Sequence, residues 1–130
     1  MANMKDAGIL IADDEGGMRD LLASILKGCG CSKISLAADG TRALDLLTRE
    51  SRDIQIAFLD INMPGLSGIE VMMQMAIARP DCFCVIVTGN SDLRNVMAAL
   101  ELGARGFVVK PYNIKKIADI LAKYERESAP

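Results

Sequence analysis

Five short apolar runs alternate with five stretches of helical periodicity, and four of the runs stop abruptly on a polar residue. This alternation most restricts what the chain can become. Gly8 to Ala12 is continuously apolar and ends at Asp13-Asp14. A third strand is expected from Ile54 to Asp60, its apolar run Ile56 to Leu59 ending at Asp60; Cys82 to Val87 ends at Thr88, and Phe107-Val108-Val109 at Lys110. A continuous apolar run of this length reads as a strand buried on both faces. Lys33 to Leu36 alternates apolar and polar residues instead, as an edge strand with one covered face does.

The intervening segments carry helical spacing. Met18, Leu21, Leu22, Ile25 and Leu26 recur at that period before Gly28 and Gly30 close the segment. A second helix is expected from Thr41 to about Glu50, with Ala43, Leu44 and Leu47 inward. A third begins at Ser67 and ends before Pro80, and its methionines Met72, Met73 and Met75 leave little polar face. These are core and helix formers first, although a Met-rich face also suits adaptable protein contacts. Ser91 is expected to cap a fourth helix carrying Leu93, Val96, Met97 and Leu100, ended by Gly103. The last helix is expected from Asn113 to Arg126, with Ile114, Ile117, Ala118 and Leu121 inward. Its Lys115, Lys116, Lys123 and Arg126 read as a solvated face.

Strict alternation of strands and helices implies an α/β fold, with a parallel sheet, right-handed crossovers and helices on both faces. The 130 residues suffice for one domain with a real core, expected to span 1–130 with its core at about 7–126. A net charge of -2 gives no surface for nucleic-acid phosphates. No apolar run approaches the ~18 residues of a membrane span, and the N-terminus lacks a signal-like apolar core. The expected location is cytoplasmic. Cys29/Cys31 and Cys82/Cys84 have the wrong spacing for a zinc knuckle, and the chain has no histidine to help. They read as reduced thiols in a reducing compartment. Without histidine the chain can be neither a phosphohistidine donor nor an imidazole-base enzyme.

An open parallel sheet places ligands outside the carboxyl ends of its strands. Asp13, Asp14, Asp60, Thr88 and Lys110 would converge there. Carboxylates crowded into one crevice repel, and a hard divalent cation with oxygen ligands relieves that repulsion. Lys110 adds a point charge suited to a phosphoryl oxygen, and Thr88 adds a hydroxyl donor. This set of groups suits phosphoryl transfer to a carboxylate, which is already ionised at neutral pH and needs no base. Each group alone has a plainer reading. Asp13-Asp14 could be a helix N-terminal acid pair, Thr88 a strand-end cap and Lys110 a solvated lysine.

Five stretches make the pattern specific: Ile11 to Glu15, Asp60 to Gly68, Val87-Thr88-Gly89, Gly103 to Phe107 and Lys110-Pro111. With these the chain resembles the receiver domain of bacterial two-component response regulators, in the stand-alone, chemotaxis-regulator-like form. The resemblance implies a flavodoxin-like sheet of order 2-1-3-4-5 with five helices. It implies that Asp60 accepts a phosphoryl group from a histidine kinase or phosphotransfer protein. Mg2+ would be held by Asp14, Asp60 and the Asn62 backbone carbonyl, with Asp13 acting mainly through water. Lys110 would contact the phosphoryl oxygens, Thr88 would shift onto them, and Phe107 would swing inward. Lys110-Pro111 would be cis.

Phe107 stands where Tyr is frequent in the family, so readout through a hydroxyl is not expected here. Gly89 leaves the aromatic ring room, while Asn62 and Asn90 occupy positions that tune dephosphorylation. Such a protein is a phosphoacceptor rather than an enzyme, capable at most of self-phosphorylation and slow autodephosphorylation. No output module follows Arg126, so output through a downstream protein target is expected. A homodimer through the fourth helix, fifth strand and fifth helix is a further family expectation. A piece of a longer regulator would look the same. The competing readings fit less well. A haloacid-dehalogenase-type phosphohydrolase needs Asp-x-Asp after its first strand and a longer chain with a cap. A flavin binder needs more ring-stacking side chains than two Tyr and three Phe. A phosphate-independent scaffold would not need the complete set of site residues.

Overall fold

The computed structural model describes residues 3–49, 53–89 and 93–128. The elements run β1 (Gly8–Ala12), α1 (Gly16–Gly28), β2 (Lys33–Ala37), α2 (Gly40–Leu47), β3 (Ile56–Asp60), α3 (Gly68–Ala78), β4 (Phe83–Thr88), α4 (Leu93–Glu101), β5 (Gly106–Val109) and α5 (Ile114–Glu127). A 3-10 turn at Met4–Asp6, which no apolar pattern announces, precedes them. The strands form one parallel sheet in the order β2-β1-β3-β4-β5. This is the flavodoxin-like arrangement that the alternation and the resemblance imply.

Successive residues of a strand point to opposite faces, so the sheet builds two cores. Ile9, Ile11, Ile56, Phe58 and Val85 face Leu22 and Leu26 of α1 and Ile117 and Leu121 of α5. Leu10, Ala57, Leu59 and Ile86 face Ala43 and Leu47 of α2, Val71 and Met75 of α3, and Ala99 of α4. Phe58 and Leu59 are completely buried on opposite faces. Burying a side chain of that size stabilises by roughly 1.5–3 kcal/mol. β3 is therefore held from both sides, and its last residue, Asp60, has little freedom to move.

Local signals set the helix starts. Ser67 and Glu70 form a reciprocal capping box at α3, worth about 1 kcal/mol. Asp39 caps α2 through the Arg42 N–H, and Asn113 caps α5 through the Lys116 N–H. Ser91, Asn90 and the expected end of the second helix at Glu50 lie outside the described residues. β3 starts at Ile56 rather than Ile54, which is buried beside it.

The periodicity found the helices but misassigned parts of their inward faces. In α4 the buried residues are Val96 and Ala99, whereas Leu93, Met97 and Leu100 are exposed. In α5 Ile120 and Tyr124 are buried, and Ile114 and Ala118 are exposed. In α1 Leu21 is exposed. These helices carry apolar residues over more of their circumference than the sheet covers. On β2, Ile34 packs against the α1–α5 core while Leu36 remains exposed at the rim.

The turn from β3 into α3 is tightly held. Gly68 donates its N–H to Ile61 O at 3.0 Å, and a Cβ there would lie 2.4 Å from Asp60 O. Overpacking against fixed backbone of this kind costs about 1–3 kcal/mol. Gly68→Ala is therefore expected to lower stability in urea unfolding by that amount. Gly28→Ala meets no atom within 4 Å and should be neutral or stabilising by roughly 0.5 kcal/mol. Equal effects at the two positions would contradict this account of the turn.

Candidate functional site

The sheet brings the sequence-predicted polar residues to one edge. Asp13 directly follows β1, Asp60 ends β3, Thr88 ends β4 and Lys110 directly follows β5. Backbone bonds continue the sheet into the site and fix these positions. Asp13 N–H donates to Ala37 O at 3.0 Å, Ile61 N–H to Val87 O at 3.0 Å, and Lys110 N–H to Thr88 O at 2.8 Å. The Lys110-Pro111 peptide is cis, as the resemblance implies.

Lys110 Nζ lies at the centre. It donates to Asp60 Oδ2 at 2.9 Å and to Glu15 Oε1 at 3.2 Å, and it lies 2.7 Å from Asp13 Oδ2. Asp13 and Asp60 are nearly inaccessible, at 1% and 3% exposure. Asp14 and Glu15 are exposed at the mouth. Oxygens of Asp13, Asp14, Glu15 and Asp60 all lie within 4.8 Å of one another. Four carboxylates thus face a single ammonium. Apart from the Lys110 ion pair, Asp13 Oδ2 is buried without a hydrogen-bond partner among the described residues. An all-oxygen donor set in which the carboxylates outnumber the ammonium is chemistry that fits a hard divalent cation.

The electrostatics follow from this crowding. Burial pushes the Asp60 carboxyl above the ordinary carboxylate range, and the nearby Asp13 charge adds to it. The Lys110 ammonium and the Asn62 N–H, which donates to Asp60 Oδ1 at 3.1 Å, oppose the shift without cancelling it. Burial disfavours the Lys110 charge, but Asp13, Asp60 and Glu15 outweigh it and push the ammonium well above its usual value. Tyr112 shares the site's field: its own burial first, then the negative charge of Asp13, raises its hydroxyl.

The remaining predicted residues lie around this cluster. Thr88 is buried at the end of β4, whose Val87 is paired with Asp60. Phe107 is half-buried on β5 and packs at the fringe of the α2–α3–α4 core, with Lys116 Nζ 5.4 Å above its ring. Asn62 is exposed. Glu15, to which the sequence pattern assigns no role, also reaches Lys110. The acidic run Asp13-Asp14-Glu15 was its signal. Arg19 has no assigned role either; its guanidinium donates to Asp13 O at 2.7 Å and steadies the turn into α1.

The raised Asp60 pKa has a consequence for stability. A carboxyl whose folded pKa lies above its unfolded value costs nothing while both states are protonated. Its stabilising contribution relative to the ionised form is lost as pH rises through the folded pKa. In metal-free buffer Asp60→Asn should therefore be more stable than wild type at pH 7, and the gap should close towards pH 4. Urea unfolding of both proteins across that range checks this. A less stable Asp60→Asn at pH 7 would contradict it.

Residues 9–122 match the family model described as response regulator receiver domain. The chain is 35% identical over 121 residues to sporulation initiation phosphotransferase F of Bacillus subtilis (strain 168), covering 93% of this chain and 95% of that protein. It spans only 28% to 52% of several longer curated relatives. Among solved structures, a CheY-like receiver domain protein from Methanospirillum hungatei JF-1 is 30% identical with a TM-score of 0.80, covering 93% of this chain and 98% of that one. The CheX-CheY-BeF3-Mg2+ complex from Borrelia burgdorferi contains a chain 26% identical with a TM-score of 0.84, covering 90% of this chain and 87% of that one. With the sheet order, the strand-end cluster and the family match in agreement, the chain belongs to the receiver domains of two-component response regulators.

Proposed function

We propose that Asp60 is the phosphoacceptor and that the chain is a single receiver domain, 1–130, in two-component signalling. The observation that carries this is Lys110 Nζ bridging Asp60 and Asp13 at the strand ends, inside a cluster of four carboxylates. The donor is a phosphohistidine on a histidine kinase or phosphotransfer protein. An Asp60 carboxylate oxygen attacks the phosphorus. The new P–O bond forms as the P–N bond breaks, and the freed imidazole nitrogen takes a proton from water. Asp60 is already ionised when it attacks, so no general base is required.

Asp14, Asp60 and the Asn62 carbonyl would hold Mg2+, with Asp13 mainly through water and Glu15 at the same mouth. When bound, the ion neutralises charge on the transferred phosphoryl oxygens. Lys110 then exchanges its contact with Asp60 Oδ2 for a phosphoryl oxygen, and the Thr88 hydroxyl donates to another. The solved relative that carries BeF3 and Mg2+ beside CheX supports both the cation and a protein partner.

Phosphorylation adds about -1.5 to -2 charge and three strong acceptors at one point. If an active arrangement is ~1% populated beforehand, driving it to ~99% requires about 5.5 kcal/mol of differential binding. Two charge-assisted hydrogen bonds, from Thr88 and Lys110, at ~1.5–3 kcal/mol each are on that scale. Phe107 would follow Thr88 inward, away from Lys116. The output is contact with a downstream protein, and no catalytic turnover beyond self-phosphorylation and slow autodephosphorylation is implied. Exposed Met97, Leu100 and Val109 suit a homodimer or target surface on α4–β5–α5. Among the described residues no helix is long and apolar enough to cross a membrane, which suits a cytoplasmic role.

The test is incubation with a small phosphodonor, with and without Mg2+, read by intact mass. Wild type should gain one phosphoryl group only with the metal, and Asp60→Asn should gain none. A folded wild type that stays unmodified would refute the proposal. Lys110→Ala should still accept the group but lose the phosphorylation-dependent change in partner affinity, by tenfold or more. Undiminished coupling would remove Lys110 from the switch.

A further inference from the structure

At the opposite end of β4 from Thr88, a cavity of about 100 Å³ lies between α3, the start of β4 and the α4–β5 turn. Sulfur dominates its wall: Met72 and Met75 of α3, Cys82 just before β4, and Cys84 within it. Both thiols are free and nearly inaccessible, at 4% and 2% exposure; they lie two residues apart along the chain and line the same cavity, and the Cys82 thiol donates to Gln55 O at 3.7 Å. Arg79 also lines the cavity and is only 4% exposed. Its Nη1 donates to Leu47 O and Ile54 O, and its Nη2 to Asp81. Among the described residues its Nε is buried with no hydrogen-bond partner.

We propose that Cys82 and Cys84, assisted by Met72 and Met75, form a binding site for a soft monovalent cation of the copper(I) class. Two thiols and two thioethers are soft donors, which select such ions. No carboxylate or carboxamide lines the cavity, so a hard cation would find no oxygen side-chain ligands there. Binding is balanced as two thiols plus one cation giving a bis-thiolate complex and two protons released to solvent. That complex carries one negative charge. The contact with Cys82 and burial push the Cys84 thiol up, so the cation has to displace its proton, and the nearby Arg79 charge only partly offsets that cost. The preference for a monovalent ion therefore rests on the softness of the four sulfur donors, because Arg79 is already paired with Asp81 at 2.9 Å. The site shares no residue with the acidic cluster, so it stands or falls independently of Asp60.

The sequence alone could not indicate it. Cys82 and Cys84 have no ligand spacing typical of zinc, and Met72, Met75 and Arg79 join them only when α3 packs on the sheet.

The test is anaerobic competition for copper(I) against a coloured chelator, using the full chain under reducing conditions. Cys29→Ser/Cys31→Ser, which keeps only the cavity thiols, should withdraw one equivalent as wild type does. Cys82→Ser/Cys84→Ser, checked for folding by circular dichroism, should bind at least about 100-fold more weakly, and Met72→Leu about tenfold more weakly. The proposal is overturned if the Cys29→Ser/Cys31→Ser protein withdraws no copper. It is also overturned if that protein prefers zinc, or if folded Cys82→Ser/Cys84→Ser retains wild-type affinity.

Discussion

The ammonium of Lys110 is the contact on which the rest depends. It holds two buried carboxylates, Asp13 and Asp60, from strands that lie side by side, and it reaches them from the far edge of the sheet. Without it, the Asn62 and Glu15 N–H groups would be left to oppose burial and mutual repulsion at Asp60 and Asp13. With it, they remain crowded but tolerable, and the ammonium still faces more negative charge than it can neutralise. That imbalance leaves the site receptive to a cation. It also leaves Lys110 free to transfer its contact to a new anion on Asp60. The proposed switching role of Lys110 would draw on the same interaction that stabilises the cluster.

The sheet makes this contact possible. Parallel pairing carries backbone hydrogen bonds past the strand ends, so Asp13, Ile61 and Lys110 are held by the same ladder that builds the core. β3 is packed on both faces, by Phe58 towards α1 and α5 and by Leu59 towards α2, α3 and α4. The close approach of Gly68 to the Asp60 carbonyl locks the exit turn. The proposed phosphoacceptor thus sits on tightly packed backbone, while Thr88 and Phe107, the groups proposed to move, sit at the end of β4 and on the edge strand β5.

Strand identity was legible because continuous apolar runs admit few alternatives, and a polar residue at the end of each run marks the carboxyl edge of the sheet. That is how Asp13, Asp14, Asp60, Thr88 and Lys110 were found before any geometry. Helix faces were less legible. Periodicity puts Leu93, Val96, Met97 and Leu100 on one side of α4, but of these only Val96 meets the sheet, together with Ala99, which the pattern does not mark. Small alanines carry little weight in such patterns, and only packing decides. Glu15 escaped notice for another reason: at the start of a helix an acid is expected anyway, and only its 3.2 Å approach to Lys110 distinguishes it. The sulfur-lined cavity depends on contacts between α3 and β4 that no local pattern encodes.

The central claim is that one carboxylate among four, Asp60, carries the phosphoryl group. Reductive trapping tests it most directly. The protein is phosphorylated with a small donor and Mg2+, then treated with borohydride, which converts an acyl phosphate to the corresponding alcohol, and its peptides are sequenced by mass spectrometry. The account predicts homoserine at position 60 and unchanged aspartates at Asp13 and Asp14. Conversion at Asp13, Asp14 or Glu15 in place of Asp60 would contradict it.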